Sequence, residues 1–140
     1  MNGLSELVTS ENATKEMLKS LFDAAFMETS FDSDGDLIVR DGGVRGFVIL
    51  QDENRIIRLM IGYRVKPSAK RIDLLEFLNR VNAEYLIIRA ALANNNHSVC
   101  FDFYIHLVGG VSRANVVQTI KRVLRIVPQA VNEYGRVIFE

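Results

Sequence analysis

Few residues in this sequence combine a reactive type with a spacing that chemistry can use. The most suggestive run is Asp32-Ser33-Asp34-Gly35-Asp36, three carboxylates around a glycine, the kind of oxygen-rich loop that takes calcium. Setting Gly35 at the glycine of an EF-hand loop puts Asp32 and Asp34 at its third and fifth positions. The first position is then Ser30, and the closing position is Asp41, shorter than the bidentate glutamate such loops use. The segment that should form the exiting helix, Leu37-Ile38-Val39, reads instead as strand. Asp32 to Asp36 is therefore read as a turn between elements, and no metal is expected there.

Cys100 and His106 fall on one face of a strand and invite a thiol–imidazole pair. Six residues at about 3.3 Å each hold them roughly 20 Å apart, so they cannot act together. His97 sits in the preceding turn and is no better placed. One cysteine and two scattered histidines also fall short of the converging ligands a zinc or iron site needs. Gly109-Gly110-Val111-Ser112 precedes a helix and could cradle an anion, but it lacks the lysine and spacing of a phosphate-binding loop. A strand-to-helix turn with a serine cap accounts for it. Lys121, Arg122 and Arg125 form a short basic stripe, read as the wet face of a helix. No nucleophile-elbow motif is present. No catalytic residue, cofactor or metal ligand is assigned.

The elements that hold these residues follow from periodicity. Ser98 to Leu107 alternates strictly, with Val99, Phe101, Phe103, Ile105 and Leu107 on one face and Cys100, Asp102, Tyr104 and His106 on the other. A period of two over ten residues marks a strand with one face in a core. A first helix is expected from Ser10 to about Glu28, with Leu18, Leu21, Phe22 and Ala25 as its apolar stripe. Ser30 to Asp36 follows as a turn. Three strands come next: Leu37 to Asp41, Val44 to Gln51 and Arg55 to Val65, joined through Gly42-Gly43 and Asp52-Glu53-Asn54. Pro67-Ser68 opens a second helix over Ile72 to Ala83, on which Asn79 and Asn82 satisfy terminal carbonyls or hold the next strand. Tyr85 to Ala93 is that strand, and Asn94-Asn95-Asn96-His97 turns into Ser98 to Leu107. Ser112 caps a third helix, which Pro128 should kink or break before Gly135. Residues 136–140 read as a frayed tail or an added strand edge.

The sum is one α+β domain over residues 1–140, with its core at about residues 10–134. It has five antiparallel strands and three helices in the order α-β-β-β-α-β-β-α. Two strands carry apolar residues on both faces, through Ile56 and Met60 on one and Tyr85 and Ile87 on the other. A face half apolar usually meets something. Ile56, Arg58, Met60, Tyr85, Ile87 and Arg89 are thus the expected partner or dimer surface.

Composition bounds the function. The chain has 140 residues, 17 basic and 17 acidic, so no global field draws it to nucleic acid or anionic lipid. No apolar run reaches the ~20 residues of a membrane span, and Met1 to Glu6 lacks the features of a signal peptide. A single cysteine excludes an internal disulfide and fits a reducing compartment, the cytoplasm.

The order of elements resembles the YbjN family, labelled bacterial sensory transduction regulators. The match is carried by Asp34-Gly35-Asp36 entering the first strand, by Leu75-x-x-Leu78-Asn79-x-x-Asn82 on the middle helix, and by Gly109-Gly110-Val111-Ser112 before the apolar third helix. The resemblance spans about Ser10 to Val127. It implies a fold like that of type III secretion chaperones, a homodimer, and a regulatory or chaperone-like role through binding a protein partner. It brings no catalytic residues. The expectation is a non-enzymatic protein-interaction module; the alternative is a small ligand-binding protein or enzyme with a pocket the sequence does not reveal.

Overall fold

The alternation of Ser98–His106 is realised as a strand paired on both sides in a six-stranded antiparallel sheet. The computed structural model describes residues 7–140, so the reading of Met1 to Glu6 lies outside the described residues. Along the chain the elements are β1 (Leu7–Val8), α1 (Lys15–Ala24), β2 (Glu28–Phe31), β3 (Leu37–Asp41), β4 (Val44–Gln51), β5 (Ile56–Arg64), α2 (Arg71–Glu84), β6 (Arg89–Ala93), β7 (Ser98–His106), β8 (Val111–Ser112) and α3 (Arg113–Tyr134). The sheet order is β2-β3-β4-β5-β7-β6, and β1 pairs with β8 in a separate two-stranded ribbon. The α+β class, the antiparallel sheet and the three helices match expectation, but the sheet has six strands rather than five.

The extra strand is β2, and the end of α1 explains why sequence hides it. α1 stops at Ala24, four residues before the expected end. The Phe26 amide donates to Asp23 O and the Met27 amide to Phe22 O, with Phe26 at φ 64°. This is a Schellman closure, and its left-handed position normally announces itself as glycine. Met27 and Phe22, both buried, make the apolar contact that accompanies the motif. The chain is thereby released early enough for Glu28–Phe31 to pair with β3. At the other end the cap is Thr14, which accepts from the Met17 amide at 3.0 Å, and Ser10 lies outside the helix.

Other differences are small and physical. β6 begins at Arg89, not Tyr85, because Tyr85 is still the C-cap of α2. α2 begins without a side-chain cap, at Lys70 rather than Ser68. α3 continues through Pro128 as one 22-residue helix. Val123, Leu124, Val127 and Ala130 are all buried beneath it, and that packing outweighs one lost hydrogen bond. The tail adds an edge rather than fraying: Val65 bridges Phe139, and the Lys66 amide donates to Ile138 O at 2.8 Å. The turn residues behave as read, with Gly42 and Gly43 both at positive φ between Asp41 and Val44.

One face of the sheet is the core. Leu37, Val39, Val48, Ile57, Leu59, Ile61, Val99 and Phe101 lie there with Leu18, Phe22, Phe77, Ile120 and Leu124 of the three helices. Phe77, Phe101, Tyr63 and Phe139 form a ring cluster with centroids 5.0–6.0 Å apart. The other face carries none of the core-cluster residues.

Candidate functional site: the outer face of the sheet

Strand registers define that second face. A row across the full sheet runs Ser30, Ile38, Phe47, Met60, Asp102, Arg89. The neighbouring rows place Ile49, Arg58 and Tyr104 together, then Gln51, Ile56 and His106. Arg40 and Arg45 stand directly opposite one another on β3 and β4. Phe47, Ile49, Ile56 and Met60, all half-buried, thus make an apolar band beside the buried Ile38, on a face that none of the described helices covers.

At one side of the band sits the buried charged residue of the described chain, Asp102, only 3% exposed. Its Oδ2 accepts from Arg58 Nε and Nη2 at 3.2 and 2.8 Å and from Arg89 Nη2 at 2.8 Å. Its Oδ1 accepts from Arg89 Nε at 3.0 Å. Both guanidinium groups also lie about the Tyr104 ring, at 5.5 and 5.4 Å from its centroid, and Arg89 Nη2 donates to Tyr104 Oη at 3.2 Å. Burial alone would push the Asp102 carboxyl up. The hydrogen bonds and charges of Arg89 and Arg58 outweigh that and hold its pKa below the ordinary carboxylate value. Arg89 is in turn pushed up by its hydrogen bond to Asp102. A carboxylate so committed is a poor proton acceptor near neutral pH. The cluster is built to lock three strands in register and to present arginine edges outward.

Of the six residues expected to form a partner surface, Ile56, Arg58, Met60 and Arg89 share this face. Tyr85 and Ile87 lie outside the strand pairings that define it, because they precede β6, and both pack partly against the core cluster. Tyr85 Oη donates to Glu133 at 2.6 Å, and that bond, with some burial, pushes its pKa up to about 12. Ile87 instead lines an open hollow of about 300 Å³ with Leu86, Ile88, Arg89, Asp102, Phe103 and Tyr104. Sequence reasoning missed Ile38, Arg40, Arg45, Phe47 and Ile49. Alternation along Val44–Gln51 could have flagged the β4 members; their union with Asp102 needed the sheet order.

The remaining candidates resolve as turns and caps. Asp32 Oδ1 accepts from the Asp34 and Asp36 amides at 2.9 and 2.8 Å, an Asx turn. Lys15 Nζ donates to Gly35 O at 2.8 Å. The three carboxylates of Asp32, Asp34 and Asp36 can come within 4.8 Å of one another. Ser112 accepts from the Asn115 amide at 3.0 Å, capping α3 as expected. Cys100 and His106 stand three same-face positions apart on β7, and burial, with the nearby Asp102 charge, pushes the Cys100 thiol up. Asn82 holds the following strand: its Nδ2 donates to Ala90 O at 3.1 Å and its Oδ1 accepts from the Ala90 amide at 2.8 Å. Lys121 Nζ reaches Ala25 O at 3.2 Å, while Arg122 and Arg125 stay exposed along α3.

The YbjN family model, described as "Putative bacterial sensory transduction regulator", matches residues 14–136. The chain belongs to the YbjN family. Two solved structures share the fold of this YbjN-family chain. One is YbjN from E. coli, "a putative transcription regulator", with a TM-score of 0.76 at 18% identity over 96% of this chain and 99% of that one. The other is the Yersinia pestis type III secretion chaperone SycH, solved in complex with a stable fragment of YscM2. Its TM-score is 0.54 at 14% identity, over 84% of this chain and 97% of that one. At such identities the likeness establishes a common fold. No curated protein sequence matches the chain. Among the described residues no helix is long and apolar enough to cross a membrane.

Proposed function

We propose that this YbjN-family chain is a non-enzymatic protein-interaction module of regulatory or chaperone-like type, acting as a homodimer in the cytoplasm. The observation that carries the reading is the outer sheet face, apolar at its centre and uncovered by any of the described helices. The 40 residues of its six strands, each taking ~3.4 Å along and ~4.8 Å across, give a surface on the order of 650 Å². That is close to the ~800 Å² per partner of an ordinary specific interface. A face of this size with the half-buried Phe47, Ile49 and Met60 at its middle fits a polypeptide partner better than a small ligand, whose sites are concave. SycH, which shares the fold, was solved with a polypeptide fragment bound, and the family description points to regulation. The homodimer draws support from apolar side chains that a lone chain leaves wet: Ile72, Leu75 and Leu86 are 62%, 41% and 96% exposed. A single cysteine fits a reducing compartment.

The test is capture from the source cell with wild-type bait and with a Phe47→Ser/Met60→Ser variant, both confirmed folded by circular dichroism. The reading expects a protein recovered with wild type and lost with the variant. Identical recoveries from the two baits would remove the outer face from the function. Sedimentation velocity at high micromolar concentration checks the homodimer, and a monomer there would end that part of the reading.

A further inference from the structure

The charge on the outer face is segregated in a way the neutral chain does not require. Arg40, Arg45, Arg58, Arg64 and Arg89 point from this face, against the carboxylates of Glu28 and Asp102. That is a surplus of three positive charges on a chain whose total is zero. All five are arginines and none is lysine, the composition of protein-binding centres rather than of solvated rims. Arg64 reaches an acid elsewhere, Glu140, at 3.6 Å. Arg58 and Arg89 share one carboxylate between them. Arg40 and Arg45 face each other across the β3–β4 pair, and no ion pair joins either to an acid among the described residues. Glu28 stands directly opposite Arg40 on its other side, so Arg45 is the less compensated of the two; like charges directly opposite on a sheet are unfavourable, and an anionic group placed beside Arg45 would relieve this.

We infer that the partner segment taken by this face is acidic and amphipathic, with carboxylates that engage the Arg40/Arg45 pair and the Arg58/Arg89 pair on either side of an apolar centre. This deepens the interaction-module reading and rests on it. The geometry sets the spacing. Arg45 lies one strand over and four residues along from Arg58, roughly 14 Å away, and Phe47, Ile49 and Met60 stand between them. A helix covers that distance in about nine residues, with leucine-type side chains facing the band. Arg45 lies along the Phe47 ring, 5.5 Å from its centroid, so its position is set before a partner arrives. A second copy of the chain docking face to face would bring two positive surfaces together, so the outer face is not where identical chains meet. The buried Asp102 charge and the apolar band likewise disfavour a phosphate backbone.

The probe is a fluorescein-labelled amphipathic helical peptide of about sixteen residues, with a leucine stripe and glutamates at both ends. Its controls are the same peptide with lysines in place of the glutamates and a labelled DNA duplex. Anisotropy titrations at physiological salt should show the glutamate peptide binding at least tenfold tighter than either control. Amide chemical-shift changes should fall on β4, β5 and β7. Arg40→Glu/Arg45→Glu should weaken the glutamate peptide at least tenfold, while Arg122→Glu on α3 leaves it unchanged. Equal binding of the two peptides, preference for DNA, or shifts confined to the helices would overturn the acidic-partner inference. If that happens while the Phe47→Ser/Met60→Ser variant still loses its captured protein, the interaction module stands and its partner is of other chemistry. If both fail, the module reading fails with it.

Discussion

Replacing Asp102 by asparagine keeps the shape of the outer-face cluster and removes its charge. Four hydrogen bonds from two guanidinium groups end on this carboxylate. Counting each as a full charge-assisted bond of about 1.5–3 kcal/mol would overshoot. Arg89 is 62% exposed at its side chain and regains water when released, so its share is at most about 1 kcal/mol. Arg58 is 22% exposed and stays largely dry, so leaving it without its partner dominates. Asp102→Asn should therefore cost about 3 kcal/mol at pH 7, Arg58→Ala about 2, and Arg89→Ala under about 1. For a domain of this size 3 kcal/mol lowers Tm by roughly 10 °C. Urea unfolding followed by circular dichroism, repeated from pH 7 down to pH 2, measures all three. The Asp102 carboxyl has a depressed pKa in the folded chain, so its contribution is fully present above the unfolded carboxylate pKa of about 3.9. It disappears as pH falls through the lower folded value. The gap between wild type and Asp102→Asn should narrow as pH falls below the unfolded value. A variant within about 0.5 kcal/mol of wild type at pH 7, or a gap that does not narrow as pH falls below the unfolded carboxylate value, would refute the reasoning.

Phe26→Gly should stabilise the chain by about 1 kcal/mol in the same urea assay, because it removes a non-glycine side chain from φ 64° while giving up no burial at 96% exposure. Asn82→Ala should cost about 1–2 kcal/mol and speed hydrogen exchange at the Ala90 amide, since the side chain satisfies both backbone groups of Ala90 at the open edge of β6. Cys100 should react slowly with a disulfide reagent at pH 7 and accelerate only above the ordinary thiol range, because burial and Asp102 raise its pKa and keep the thiolate scarce.

The legible parts of the fold were those set by local pattern. Ser98 to Leu107 alternates so regularly that its core face followed at once, and Gly42-Gly43 and Ser112 acted as read. β2 was illegible because its release from α1 depends on a left-handed phenylalanine, a conformation side-chain type does not announce. The ribbon of β1 and β8 depends on two-residue strands, too short for any period to register. The site was legible only in pieces. Arg58, Arg89, Asp102 and Tyr104 were each visible on strand faces, but β7 lies between β5 and β6 in the sheet. Only that non-sequential order brings both arginines to one carboxylate. Tyr85 and Ile87 fell outside the strand expected to hold them, because the apolar run continued the strand pattern backwards: Tyr85 is the C-cap of α2, and Ile87 lies in the stretch before β6 starts at Arg89.

Site-specific photo-cross-linking in the source cell tests the central claim most directly. A photoreactive side chain at Met60, in the middle of the outer face, is compared with one at Gln118, exposed on α3. The account predicts a discrete protein adduct from position 60 and none from position 118. Adducts from position 118 alone, or none from position 60, would contradict it.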